Sequence, residues 1–212
     1  YSLSKYFTNS GFNVTITSDV RGLKFLDKSS PIKIKKIDTT PLKRNVIVSV
    51  IKIFIAIIKS LTFLTINRPK VIFGMGGYSS FPICFSAIIL KIPFIIYENN
   101  LHIGKANKYL LPFSKKIFIS FDSIEGIKEK YLYKTIKIGS ILREEILNFE
   151  KKDEIKQEEN LNILVLGGSQ AAKTFAEKLP KIFVEFKKRG ANFKVIQQCI
   201  PSQNNYLSEI YS

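Results

Sequence analysis

The sequence has no tryptophan, one histidine and two cysteines in 212 residues. Each scarcity excludes something. A lone histidine, His102, excludes a metal site built on several histidines. Cys84 and Cys199 lie far apart and in no metal-like spacing, so a reduced, cytosolic setting is the default. Acidic residues are few: 17 Asp and Glu stand against 33 Lys and Arg, a formal net charge of +16. That excess suits nucleic acid, an anionic membrane surface or a phosphorylated small molecule as partner. The many Lys, Ile and Asn residues, with few Arg, equally suit an AT-rich coding sequence, which would supply part of the excess with no partner involved. No signal peptide is recognisable, and the chain opens at Tyr1 in what reads as the middle of an amphipathic helix, so a fragment is expected. What is present is ordinary for a folded protein: 45% hydrophobic and 24% charged residues, with length enough for one large or two small domains.

Strand and helix patterns alternate. Residues 2–9 read as a helix stopped by Gly11. Strands are expected at 12–18, 31–37, 71–73, 92–98, 115–121 and 134–139, with helical patterns between most of them. Near-continuous apolar strands in such an order predict a parallel sheet covered on both faces. The stretch 148–160, "NFEKKDEIKQEEN", is dense in charge and reads as a linker. After it the pattern restarts: a strand near 161–166, a helix to about Arg189 and a strand at 192–198. One strand–helix–strand is too little for a stable open sheet, so this end also reads as truncated.

The segment 44–66 is long and apolar, interrupted by Lys52 and Lys59. Ser49, Lys52, Ala56 and Lys59 fall on one helical stripe, and Ile47, Ile51, Phe54 and Ile58 on another. Three readings are open. It is a core helix, or an interfacial helix with its apolar face on lipid and Lys43, Arg44, Lys52 and Lys59 at headgroups, or, least favoured, a spanning helix.

"VIFGMGGYSSFP" (71–82) ends a strand in three glycines within four residues. Ligands of open parallel sheets bind beyond the carboxyl ends of the strands. Glycine there lets backbone approach a ligand, and free N–H groups favour an anion such as a phosphate. "VLGGSQ" (165–170) repeats the order of strand, Gly167-Gly168, Ser169 and helix. One such loop is commonly a tight connection; two suggest a cleft that grips a phosphorylated ligand from both sides. Neither loop has the glycine spacing of a dinucleotide fingerprint or a P-loop.

Four segments carry a resemblance: "GMGGYSSFP", "PFIIYENNLHIGKANKYL", "IKIGSILREEI" and "ILVLGGSQAAKTFAEKLP". In this order and spacing, and over nearly the whole chain, they resemble the MurG family. These are membrane-associated transferases that convert lipid I into lipid II in peptidoglycan synthesis. The resemblance implies an α/β chain of GT-B type, with two Rossmann-like parallel-sheet domains facing a cleft and the second incomplete. It implies an acceptor and membrane domain at 1–149, a linker at 150–160 and the start of a donor domain at 161–212. The implied reaction is inverting transfer of GlcNAc from UDP-GlcNAc to lipid I, at the cytoplasmic face of a bacterial inner membrane, with no cofactor, no metal and no nucleic acid. The partners implied are UDP-GlcNAc, lipid I and an anionic membrane surface.

By resemblance, Asn100 and Glu98 match the His-Glu-Gln-Asn motif that meets the donor sugar. Tyr97 and Asn99 depart from it. Arg143 matches the Arg of Gly-Asn-Pro-Val-Arg, expected near the donor nucleotide, with Ser140 and Ile141 in place of Asn-Pro. Gly167, Gly168, Ser169 and Gln170 match the loop facing the donor diphosphate. Gly76, Gly77 and Tyr78 match the loop expected to meet the lipid I diphosphate. Ile47, Ile51, Phe54 and Ile57, with Arg44 at the edge, match the membrane face. The expected catalytic base would precede Tyr1, so this piece alone is expected to be inactive; His102 falls outside the motif. Gln197-Gln198 stands where relatives carry His-Gln. The bland readings stay beside these: Asn99-Asn100 as a turn, Arg143 as a surface ion pair with Glu144 or Glu145, Ser169 as a helix cap, Tyr78 packed beside a tight turn. The rival functions are another GT-B glycolipid transferase, a UDP-sugar epimerase, or a non-catalytic basic module for membrane or nucleic acid.

Overall fold

A computed structural model describes residues 1–23, 26, 31–39, 46–148 and 161–211. Two compact units follow one another, Tyr1–Phe149 and Glu150–Ser212. The charged stretch 150–160 lies outside the described residues.

In the first unit, helix α1 (Ser2–Asn9) leads to β1 (Thr15–Ser18), α2 (Val20–Leu23) and β2 (Lys33–Lys36). β1 and β2 pair in parallel, and only with each other. Then come α3 (Val46–Asn67), β3 (Ile72–Gly74), α4 (Gly77–Ile89), β4 (Phe94–Glu98), α5 (Lys105–Leu110), β5 (Lys116–Ile119), β6 (Thr135–Lys137) and α6 (Glu144–Leu147). β3, β4, β5 and β6 form a parallel sheet in that order. The single expected sheet is thus two parallel sheets among the described residues, and most strands are shorter than their apolar runs. The runs spill into loops that the core still covers. Ile92, before β4, is buried with Phe94, Ile96 and Ile117 of the strands and with Ile83, Cys84 and Ala87 of α4. Buried in that apolar cluster, the Cys84 thiol is pushed up to about 12, because burial disfavours the thiolate.

Helix α3 corrects the core-helix reading. Its buried residues are Ser49, Ala56, Ser60 and Leu64. Small side chains let α3 lie close against α4, where Ser86 Oγ donates to the Ile57 carbonyl at 3.1 Å. The large residues face outward: Ile47 is 74% exposed, Ile51 53% and Phe54 60%. Ile57 is half-buried, so it belongs partly to the α4 contact, and Arg44 and Lys43 lie outside the described residues. Lys52 and Lys59 are exposed although Ser49 and Ala56 of the same stripe are buried. Long lysine stems reach solvent from the rim of a contact where short residues cannot. α3 is the one described helix long and apolar enough to cross a membrane by length and composition.

Lys134 is buried and donates to the carbonyls of Leu111, Pro112 and Ser114 at 3.1, 2.8 and 2.7 Å. These carbonyls lie just past the end of α5, so the ammonium caps that turn. Burial, and then the charge of Lys115, lower its pKa.

The second unit has β7 (Leu161–Val165), α7 (Ser169–Lys188), β8 (Phe193–Gln197) and α8 (Asn204–Tyr211). β7 and β8 are parallel. Phe183 of α7 meets Phe193 and Tyr211 with ring centres 5.7 and 6.4 Å apart. Strand alternation leaves Leu164 and Ile196 exposed on the other face.

Candidate functional site

Because β3 to β6 are parallel and paired Gly74↔Ile96, Glu98↔Ile119 and Ile119↔Lys137, their carboxyl ends share one sheet edge. Four loops leave that edge: the glycine loop before α4, the Asn99-Asn100 loop, Ser120 and its successors, and Gly139–Arg143. Every candidate of the first unit outside α3 lies there.

The glycine loop is constrained by its neighbours. Gly74 backs onto α4, where an added Cβ would sit 2.7 Å from Cys84 Sγ. Gly76, the residue capping α4, has φ 75 and ψ 179, a region essentially restricted to glycine. A Cβ there would meet the Tyr97 carbonyl at 3.2 Å and Asn107 Nδ2 at 3.4 Å. Gly77 also has positive φ, 73, with open space around it. Ser80 Oγ donates to the Gly76 and Gly77 carbonyls at 2.9 and 3.1 Å, which closes the turn. Tyr78 is exposed beside it.

Glu98 organises the next loop. It is only 4% exposed, and its carboxylate accepts four hydrogen bonds. Oε1 takes Asn100 Nδ2–H at 2.7 Å and the Asn100 backbone N–H at 3.2 Å. Oε2 takes the Gly104 N–H at 2.8 Å and Asn107 Nδ2–H at 3.0 Å. A buried carboxylate with its lone pairs filled is a fixed support. Its effect is on Asn100, which is exposed. The amide nitrogen is pinned inward, so the Oδ1 is presented as an oriented acceptor. The chain does bend at Asn100, as the turn reading expected, and Glu98 fixes that bend through its bonds to Asn100.

Asn107 was not singled out by sequence. It is 1% exposed, donates also to the Tyr97 carbonyl at 2.9 Å, and lies under Gly76. Its bonds fix it to the end of β4, directly below the glycine loop. The available signal was an amide on the apolar stripe Ala106, Leu110 and Leu111.

Four of the positions that depart from the resembling motifs, Tyr97, Asn99, Ser140 and Ile141, fall together. Tyr97 Oη has Asn99 Oδ1, Ser120 Oγ, the Gly139 carbonyl and the Ile141 N–H within 3.2 Å, and Ser140 Oγ reaches Asn99 Oδ1 at 3.4 Å. Arg143 follows on this loop. It is exposed, and its carbonyl accepts the Ile146 and Leu147 N–H groups at 3.0 and 3.1 Å. The side chains of Glu144 and Glu145 lie outside the description. His102 is an exposed surface partner of Glu125, Nε2 to Oε2 at 3.1 Å.

The second glycine loop differs. Gly168 caps α7 with φ −65 and ψ 173, ordinary extended backbone, and a Cβ there would meet nothing within 4 Å. The expected repeat of one arrangement holds for the element order and fails for the backbone of this residue. The Gly167 N–H donates to Gln198 Oε1 at 3.1 Å, so Gln198 supports this loop. The Ser169 and Gln170 side chains lie outside the description. Among the described residues no group of three or more His, Cys, Asp or Glu could hold a metal ion.

Comparison with known proteins gives a consistent picture. The chain is 33% identical over 190 residues to a Pelagibacter ubique protein named UDP-N-acetylglucosamine--N-acetylmuramyl-(pentapeptide) pyrophosphoryl-undecaprenol N-acetylglucosamine transferase, covering 88% of this chain and 52% of that one. It is 32% identical to the Rickettsia felis protein of the same name, covering 100% of this chain and 61% of the relative. The chain thus spans about half to three-fifths of these relatives. The Acinetobacter baumannii MurG crystal structure superposes with a TM-score of 0.68 at 23% identity, over 99% of this chain and 59% of that one, which fixes the fold as GT-B type α/β with parallel sheets. Residues 1–119 match the glycosyltransferase family 28 N-terminal domain, and the chain belongs to that family.

Proposed function

We propose that this chain is part of an inverting transferase that moves GlcNAc from UDP-GlcNAc to lipid I, giving lipid II. The observation that carries the reading is the Glu98 carboxylate, which holds the Asn100 amide at the carboxyl edge of the parallel sheet. A rigid amide acceptor suits a sugar hydroxyl. The names of the relatives agree with this chemistry. Asn100 binds the donor sugar, supported by Glu98. Arg143 offers a planar, permanently charged fork to the nucleotide side. Gly167, Gly168, Ser169 and Gln170 receive the donor diphosphate. Gly76, Gly77 and Tyr78 receive the acceptor diphosphate, where backbone N–H groups and the start of α4 favour negative charge. Stabilising the departing diphosphate and positioning two substrates are the main catalytic contributions expected.

The acceptor's polyprenyl tail holds it in a bilayer, so the enzyme works at the membrane surface. The exposed Ile47, Ile51 and Phe54 face of α3, with lysines at its rim, suits the cytoplasmic leaflet; the proposed set also includes Ile57, half-buried, and Arg44, outside the described residues. Glutamate at Ile51 and Phe54 in the full-length protein is expected to lower binding to anionic vesicles with folding retained; unchanged binding would remove the membrane role of this face.

The deciding experiment is labelled GlcNAc transfer to lipid I by the full-length protein. Asn100→Ala is expected to lower kcat/KM by roughly 10- to 100-fold, the size of a hydrogen bond made in a water-poor site. Transfer to a different glycolipid acceptor, or epimerisation of UDP-GlcNAc, would replace the proposal.

A further inference from the structure

The Tyr97 phenol lies beneath three loops at once. Glu98 and Tyr97 point to opposite faces of β4, as neighbours on a strand must. Tyr97 is 5% exposed and its ring stacks on Phe73 with centres 6.5 Å apart. One hydroxyl offers one proton and two lone pairs. Here Asn99 Oδ1 at 3.0 Å, Ser120 Oγ at 2.7 Å and the Gly139 carbonyl at 3.2 Å compete for that proton. Ser120 Oγ donates to Asn99 Oδ1 at 2.6 Å, so its own lone pairs remain free for the phenol. The Ile141 N–H donates to the phenol oxygen at 3.2 Å. One assignment then uses every proton once: Ile141 N–H to Tyr97, Tyr97 to Ser120, and Ser120 to Asn99. The chain of bonds runs from the loop after β6, across the end of β5, to the loop after β4. Its two ends adjoin Arg143 and Asn100.

We propose that Tyr97 is a positioning residue that sets the Arg143 loop against the Asn100 loop, and so fixes the donor-binding geometry. This rests on reading Asn100 and Arg143 as donor ligands. Tyr97 touches no substrate; it acts by tying the Ile141 backbone to the Asn99 side chain. Breaking the network at its centre leaves only the long Ser140 Oγ–Asn99 Oδ1 contact, 3.4 Å, between the two loops, while the ring packing stays.

The test is Tyr97→Phe in the full-length protein, with two readouts. In the first, the KM for UDP-GlcNAc is expected to rise about tenfold, with the KM for lipid I within about twofold of wild type. Adding Tyr97→Phe to Arg143→Ala should cost clearly less than the two single effects together, because part of the effect passes through Arg143. Full additivity, or an unchanged donor KM, overturns the proposal. The second readout is hydrogen exchange of the Ile141 amide, expected to speed up about tenfold in Tyr97→Phe; an unchanged rate overturns the linkage. If Tyr97→Phe fails to fold, Ser120→Ala breaks the same chain with little lost volume, and a donor KM raised about threefold supports the proposal. A wild-type protein that transfers no GlcNAc, yet whose Ile141 amide speeds up in Tyr97→Phe, overturns the enzyme reading and supports the linkage.

Discussion

Gly76 and Gly168 each cap a helix that follows a parallel strand, but only Gly76 has a backbone that demands glycine. Its φ of 75 and ψ of 179 exclude other residues, and the Tyr97 carbonyl stands where a Cβ would be pressed. Gly168 has φ −65 and free space. The first loop packs over the Tyr97 carbonyl and over Asn107, which Glu98 holds in place. The second is tied by a single described side-chain bond, from Gly167 to Gln198. The difference separates two reasons for a glycine. At Gly76 the folded chain itself requires it. At Gly168 nothing in the described structure does; under the proposed function, close approach of the donor diphosphate is the reason.

Four measurements can break or sharpen that contrast. Glu98→Ala should be the most damaging, because Asn100, Gly104 and Asn107 lose a buried acceptor together. About 3 kcal/mol or more of stability should go, seen as a large fall in the denaturant midpoint, and transfer should be abolished. A mild effect would mean that water replaces the carboxylate and the first loop is less dependent on its support than its geometry indicates. Gly76→Ala should cost about 1–3 kcal/mol from backbone strain, with some addition from the Tyr97 contact.

Gly168→Ala sharpens the comparison most directly. Its cost should stay below about 1 kcal/mol, the scale of a helix-cap change. In the full-length protein the KM for UDP-GlcNAc should nevertheless rise clearly. Equal stability losses at Gly76 and Gly168 would erase the distinction. The smallest effect is chemical. Cys84, whose thiol burial pushes up to about 12, should resist a thiol reagent at neutral pH until the chain unfolds, because only the thiolate reacts. Cys199, partly exposed in the second unit, should label in the native state. Native labelling of Cys84 would show that the first unit opens readily.

Much of this was legible beforehand because strand and helix periods are local. Alternating apolar runs announced a parallel α/β chain, and strand–Gly-Gly–helix order placed the loops at strand ends. The α3 helix was less legible. Its apolar residues surround the axis, so periodicity could not say which face is covered; packing chose Ser49, Ala56 and Ser60, whose small side chains admit α4. Asn107 and Ser120 were missed for a similar reason. Their meaning comes from neighbours 9 to 23 residues away in sequence, and neither spacing is a helix or strand period.

The sequence by itself therefore determined the element types, the glycine-bounded strand ends and the candidate ligands Asn100 and Arg143, since all of these follow from local pattern or from motif order. Tertiary structure alone decided that Glu98 is a buried support and that Tyr97, Asn99, Ser120, Gly139 and Ile141 meet. It also decided that Gly76 and Gly168 differ. The physical reason is that hydrogen-bond saturation, burial and a Cβ clash depend on groups brought together across the sheet edge, and parallel pairing of separate strands is what brings them there.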